Sequence, residues 1–216
     1  MIHAYDKIYL STAQKCLAYM LDYMVNDLKY PLEKAWEYFW VSGLSRNFEL
    51  GDCTILAGTS GVELARKVLE QAGEPEPVRK ASYAYDRSPE YWTGWVIAYY
   101  QWDTELRFSE IEQAVPIAEV RMLYTPYHEM DVRQFEDKMN EPYHAAKPET
   151  NLKSLRTLAE MSQSELAQQA EISVRTIQQY EQRQKDINKA QGETLLRLAR
   201  VLHCSIDDLM EKVPQQ

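Results

Sequence analysis

The sequence predicts an all-α protein built from two domains. Apolar residues recur at helical spacing, as in Cys16, Leu17, Met20, Leu21, Met24 and Leu28. Ser, Asp or Pro stands where such runs begin, and these residues favour helix N-termini. Composition then divides the chain. The formal charge of −9 over 216 residues argues at first against nucleic acid, because phosphate neutralisation drives most of that affinity. From Lys147 onward, however, 10 basic residues face 10 acidic ones, leaving 14 against 23 before it. Every Trp and Phe also precedes Lys147, and Tyr180 is the single aromatic after it. The domains are read as 1–146 and 147–216, with the boundary near Ala145-Ala-Lys-Pro-Glu-Thr150, where Pro148 disfavours helix.

In the first domain, Ser11 is placed to cap a long helix carrying the Cys16–Leu28 pattern. Pro31 suits the first turn of a second, whose stripe of Ala35, Trp36, Phe39, Trp40 and Leu44 is expected to pack in the core. Asn47 to Gly61 reads as the loop-like part, with Phe48-Glu-Leu-Gly-Asp52 a turn before the short apolar run Cys53–Ala57. Ser60 and Glu63 form a capping box for a helix from Val62 to Ala72, stopped by Gly73. Glu74-Pro-Glu-Pro77 and the residues to Arg87 read as a connector. Ser88 and Pro89 open a helix to Trp102 with aromatics nearly all round, the pattern of a central helix. Short helices are expected from Ser109 and Pro116, and Asp131 caps the last, through Phe135 and Met139.

Several functions are disfavoured. No apolar run approaches the ~18 residues of a membrane span, and no basic-then-apolar leader opens the chain. Cys16, Cys53 and Cys204 are scattered without metal-type spacing, which points away from disulfides and zinc and toward a reducing cytoplasm. Gly58-Thr-Ser-Gly61 lacks the Lys-Ser/Thr pair of a phosphate loop and reads as a helix entry. His128-Glu-Met-Asp131 gathers an imidazole and two carboxylates, but no second constellation completes a catalytic set, and acids before a helix serve as caps. The expectation is no enzyme, no cofactor and no metal.

The second domain is organised around Ser162 to Gln182. Ser162 and Glu165 make a capping box, Leu166 and Ala167 face inward, and the helix ends near Ala170. Ser173 caps a second helix with Ile177 toward the core, leaving Val174, Arg175, Gln178, Gln179 and Gln182 outside. Arg and Gln are the side chains that make paired hydrogen bonds to guanine and adenine edges in the major groove. Around this pair, Leu152, Leu155 and Leu158 are expected inside and Lys153 and Arg156 outside. A fourth helix builds from Lys189 with Leu195, Leu198, Ala199 and Leu202 inside. Ser205 caps a last helix whose Ile206 and Leu209 close the core.

Residues from about Asn151 to Glu211 resemble the helix-turn-helix of Cro/C1-type (XRE family) regulators. The matching pieces are Leu152-Lys-Ser-Leu-Arg156, Ser162-Gln163, Glu165-Leu-Ala167, Ile172-Ser173, Thr176-Ile177, Tyr180-Glu181, Leu195-Leu-Arg-Leu-Ala199, Val201-Leu202 and Ile206-Asp-Asp-Leu209. The resemblance implies a five-helix, lambda-repressor-like fold. It implies base contacts from Gln163, Val174, Arg175 and Gln179, with Gln163 also gripping a phosphate. Lys153 projects outward as a further phosphate contact, and Thr176, Gln182 and Arg183 lie nearer the phosphates. Gln178 is left between contact and plain exposure. One departure is the turn after the recognition helix, Gln182-Arg183-Gln184-Lys185 in place of an Asn-Gly type turn, which implies a longer or helical end there.

The resulting expectation is a sequence-specific transcriptional regulator, a repressor binding double-stranded palindromic DNA as a homodimer. Residues 1–146 are expected to supply or assist dimerisation, because the second domain offers little spare apolar surface. The alternative is an antitoxin whose acidic first domain binds a protein toxin while the helix-turn-helix autoregulates the operon.

Overall fold

The computed structural model describes residues 3–75, 79–82, 87–146 and 149–213. Among them, fifteen α-helices and three short irregular helical turns make up all the regular structure. The described residues pack as two compact units, the first up to residue 146 and the second from residue 149.

The first unit opens with a 3₁₀ turn, Lys7–Tyr9, fixed by the Asp6 carboxylate accepting from the Ile8 amide at 2.9 Å. This turn runs directly into α1 (Leu10–Asp22), so Ser11 lies inside the helix instead of capping it. Leu17, Met20 and Leu21 are fully buried, and a wide π-turn (Tyr23–Asp27) ends the element. α2 (Leu32–Val41) follows Pro31 and buries Ala35, Trp36 and Phe39. Trp36 and Phe39 meet Phe48 and Phe108 with ring centroids 5.3 to 6.2 Å apart, a spacing that favours tilted and edge-on aromatic pairs. Of the expected stripe, Ala35, Trp36 and Phe39 are core, Trp40 is half-buried, and Leu44 is buried but opens the next helix.

The segment read as loop is mostly helical. Phe48 belongs to α3 (Leu44–Glu49), and Asp52 caps α4 (Cys53–Leu56) by accepting from the Thr54 amide at 2.9 Å. Burial of Phe48 in the aromatic cluster draws in turns that local sequence does not announce. α5 (Gly61–Gln71) has the Ser60/Glu63 capping box and stops before Gly73 at φ +79°. The expected connector lies partly outside the described residues, at 76–78 and 83–86.

α6 (Pro89–Thr104) is the centre of this unit. Ser88 caps it, and 12 of its 16 residues are buried. Its backbone lies against α1: a Cβ on Gly94 would come within 2.7 Å of Ala18 Cα and the Leu17 carbonyl oxygen. α7 (Phe108–Ala114) starts earlier than expected, because the Arg107 amide, not Ser109, makes the entry bond to Glu110. α8 (Ile117–Met122) follows Pro116, and α9 (Tyr124–Tyr127) is a turn no motif indicated. α10 (Val132–Ala146) begins where Asp131 accepts from the Arg133 amide. It continues through Pro142 into Ala145-Ala146, where the boundary was placed; Lys147 and Pro148 lie outside the described residues.

The second unit contains α11 (Asn151–Leu158), α12 (Gln163–Gln169), α13 (Val174–Glu181), α14 (Gly192–Leu202) and α15 (Ile206–Leu209). Leu152, Leu166, Ile177, Tyr180, Leu195, Leu198 and Leu209 meet in its core. Four expectations fail. Leu158 is 81% exposed, because it lies about 240° round the helix from the buried Leu152, while Arg156, about 40° round, turns inward. Lys189 ends a separate 3₁₀ turn, Ile187–Lys189, and α14 starts only at Gly192. Ile206, the first residue of a four-residue helix, stays 37% exposed, so Leu209 and Val213 close that end. Exposed Leu158, Leu196 and Ile206 also give this unit more apolar surface than its sequence suggested.

Candidate nucleic-acid interface

α12 and α13 are each opened by a capping serine. Ser162 and Glu165 each bond the other's amide, and Ser173 Oγ accepts from the Thr176 amide at 3.1 Å. Between the helices Glu171 takes φ +53°, and the Ile172 amide returns to the Ala167 carbonyl at 2.9 Å. The connection is therefore a tight left-handed turn whose bonds are satisfied locally.

α13 then sorts its side chains by face. Ile177, Tyr180 and Glu181 are buried at the three- and four-residue spacing of one stripe. Val174, Arg175, Gln178 and Gln182 are exposed; Thr176 and Gln179 are half-buried. Among the described residues Arg175 has no hydrogen-bond or ion-pair partner, so its guanidinium donors face solvent. Thr176 is tied back to Ser173 through its hydroxyl at 2.8 Å.

The buried acid is the organising feature. Glu181 takes two bonds from Arg156, Nε to Oε1 at 2.6 Å and Nη2 to Oε2 at 3.0 Å, and Arg156 Nη1 also donates to the Met161 carbonyl. The side chains are 13% and 2% exposed, and the bonds to Glu181 push the Arg156 pKa further up. Gln163 joins the same carboxylate, donating from Nε2 to Oε2 at 2.8 Å, and its Oε1 accepts from Gln178 Nε2 at 3.4 Å. A chain of bonds thus runs from α11 through Glu181 to the start of α12 and back to the outer face of α13. Arg156 is corrected from outward to inward: the stripe offered a carboxylate in a dry position, which needs a paired cation. That signal was present as an acid on the apolar stripe of α13.

The remaining expected phosphate contacts lie at two places. Gln182 caps the end of α13 and is bonded side chain to side chain with Gln184 at 3.0 Å. The turn after it is tight, neither longer nor helical as the departure implied: Arg183 takes φ +54°, and the Gln184 amide returns to the Gln179 carbonyl at 2.8 Å. Arg183 thus occupies a left-handed conformation that Gly or Asn adopts more cheaply. Its Nη2 reaches the Glu149 carbonyl at 3.3 Å, and the Glu149 carboxylate pairs with Lys153 at 2.8 Å. Lys153 and Arg183 therefore meet around Glu149, beside the start of α11. The Lys153 bond holds the Glu149 carboxyl below its usual range.

Residues 152–209 match the helix-turn-helix family model, and the N-terminal unit has no family match. No match was found among curated proteins or among solved structures. The second unit is a helix-turn-helix domain of the Cro/C1 type. Through that domain the protein is a DNA-binding transcriptional regulator. Among the described residues no helix is long and apolar enough to cross a membrane, and no group of His, Cys, Asp or Glu is placed to hold a metal ion.

Proposed function

We propose that the protein is a sequence-specific repressor that binds a palindromic operator as a twofold dimer. One observation carries this reading: α13 keeps its single acid, Glu181, buried against Arg156. Its outward side chains therefore approach DNA without a carboxylate among them. In this reading Arg175 pairs with a guanine edge, Gln179 and Gln163 with adenine edges, and Val174 with a thymine methyl. Lys153, Thr176, Gln182 and Arg183 take phosphates and set the register. Lys153 leaves an exposed partner, Glu149, to do so. A recognition helix of eight residues reads few base pairs, so two copies on half-sites about one helical turn apart supply the specificity.

Selection of the full chain against randomised duplexes tests the proposal. The wild type is expected to enrich a twofold-symmetric site. Arg175→Ala is expected to relax one position in each half-site by about 1–3 kcal/mol. An unchanged preference in Arg175→Ala would put the reading helix elsewhere.

A second reading rests on charge. The excess of 23 acidic over 14 basic residues before Lys147 favours a basic protein partner on the first unit, as in an antitoxin that autoregulates its operon. Purifying the tagged full chain from its native cell separates the two. A stoichiometric basic protein retained at high salt supports the antitoxin, and the chain returning alone as a dimer supports the plain repressor.

A further inference from the structure

The first unit holds a cavity for which DNA binding has no use. It lies between α6, α9 and the start of α10, has a volume of about 360 Å³, and is walled by Tyr91, Trp92, Trp95, Tyr124, Tyr127 and Phe135. Small-ligand sites run from roughly 300 to 1,000 Å³ and are mostly apolar with a few placed polar groups. One wall is braced in advance: Trp92 stands edge-on to Tyr124 at 5.7 Å and to Phe135 at 5.4 Å, while Tyr124 stacks on His128 at 4.4 Å. Trp95 and Tyr127 are different. Both are half-buried, and among the described residues neither has a ring partner. They offer aromatic surface to whatever enters.

The polar groups on the lining are unequal. His128 Nδ1 is on the Tyr124 carbonyl at 3.0 Å, and Asp131 accepts from the Arg133 amide at 2.9 Å, so both have structural bonds. Arg87 has none. Its guanidinium lies 4.7 Å from the centre of the Tyr91 ring, and among the described residues no acceptor or carboxylate engages its donors. An arginine whose guanidinium carbon lies over an aromatic ring can still turn N–H donors outward, and these match a carboxylate or a phosphate through two parallel bonds.

We propose that this cavity binds a small planar aromatic acid, its ring against Trp95 and Tyr127 and its carboxylate or phosphate on Arg87. A neutral ring leaves the guanidinium donors unused, and a cation meets Arg87 as a like charge while the Asp131 carboxylate on the same lining favours it, which makes tryptamine the competing probe. Binding takes place within the first unit and does not depend on how the second reads DNA.

Calorimetric titration of the full chain with indole-3-carboxylate, adenosine monophosphate, indole and tryptamine tests this. At least one of the two acids is expected to bind about tenfold or more tightly than indole, a difference that calorimetry resolves. Tighter binding of the nucleotide identifies the acid as phosphate, and the reverse identifies it as carboxylate. Arg87→Gln is expected to cost the acid about tenfold while leaving indole unchanged, since it alters an exposed side chain. Trp95→Ala is expected to weaken acid and indole alike. Equal binding of indole or tryptamine, acid binding that survives Arg87→Gln, indole binding lost with it, or no binding by any probe would overturn the proposal.

Discussion

α6 and α13 each organise their unit, and they commit their surfaces in opposite ways. α6 buries 12 of 16 residues, with aromatics on nearly every side, and lets α1 approach at Gly94 until the backbones touch. α13 buries only Ile177, Tyr180 and Glu181 of its eight. A helix that centres a core must be apolar round its circumference, whereas one that enters a groove keeps a face uncommitted. Each also buries one glutamate. Glu90 in α6 pairs with Arg121 at 2.5 Å, and Arg121 is 45% exposed, so that pair closes the rim of a packed unit. Glu181 pairs with Arg156 at 13% exposure and passes the contact on to Gln163 and Gln178. In α6 packing sets position; in α13 a polar chain adds to the packing of Ile177 and Tyr180.

The largest effect expected from this contrast is at Glu181. Glu181→Ala strands a largely buried Arg156 and is expected to destabilise the second unit by about 3–5 kcal/mol. Hydrogen exchange of the α11–α13 amides under mild urea reads that loss, and the first unit is expected to keep its protection. The double variant Arg156→Met/Glu181→Leu is expected to restore most of the stability while disturbing Gln163, since apolar replacements of buried pairs are often neutral. A double variant as unstable as the single one would assign Glu181 a different role.

Next comes Gly94→Ala. A methyl there meets backbone, not a movable side chain, so a cost of about 1–3 kcal/mol is expected despite the better helix propensity of alanine. Thermal unfolding by tryptophan fluorescence checks it, because all five Trp lie in the first unit. A neutral or stabilising result would mean that α1 and α6 separate easily and are not the fixed centre.

Capped and paired acids are held below their usual range in both units, Asp52 and Glu63 by Thr54 and Ser60 in the first, and Glu149, Glu165 and Asp208 by Lys153, Ser162 and Ser205 in the second. In the first, Glu136 is pushed from 4.5 up to about 7 by burial and by the neighbouring Asp103 carboxylate, with Asp137 and Tyr99 also facing it. The folded state keeps this proton over a range where the unfolded chain has lost it. Stability from this group is therefore full at low pH and declines as pH rises from about 4.5 to about 7. Glu136→Gln is expected to flatten that decline, seen as a smaller drop in the tryptophan-detected Tm between pH 5 and pH 7.5. An unaltered drop would locate the titration elsewhere. The smallest effect is at Lys153: Lys153→Ala is expected to weaken all DNA sequences alike and to lower the salt slope by about 0.9, without touching fold stability. A sequence-dependent loss would make Lys153 a base contact.

What the sequence determined by itself were features closed over three or four residues. The entries at Ser60, Ser88, Ser162, Ser173 and Ser205 each bond an amide three positions on, so the information is local and the structure repeats it. The helical class and the order of the helix-turn-helix follow in the same way from short spacings. What only the tertiary structure decided are meetings across long separations: Gly94 on Ala18, Phe48 on Phe108, Arg156 on Glu181, and Arg87 at the mouth of an aromatic cavity. Arg156 and Leu158 exchanged their expected sides because Arg156 lies about 40° and Leu158 about 240° round the helix from the buried Leu152, and Glu181 gives the inward-turned guanidinium its partner. Arg183 takes a left-handed turn that its type disfavours because the helix end closes on itself there, the Gln184 amide returning to the Gln179 carbonyl; what the fold adds is the reach of its guanidinium to the Glu149 carbonyl, 34 residues away in the chain. Local bonds cost little chain entropy and are written in neighbouring residues; distant ones depend on everything folded between them.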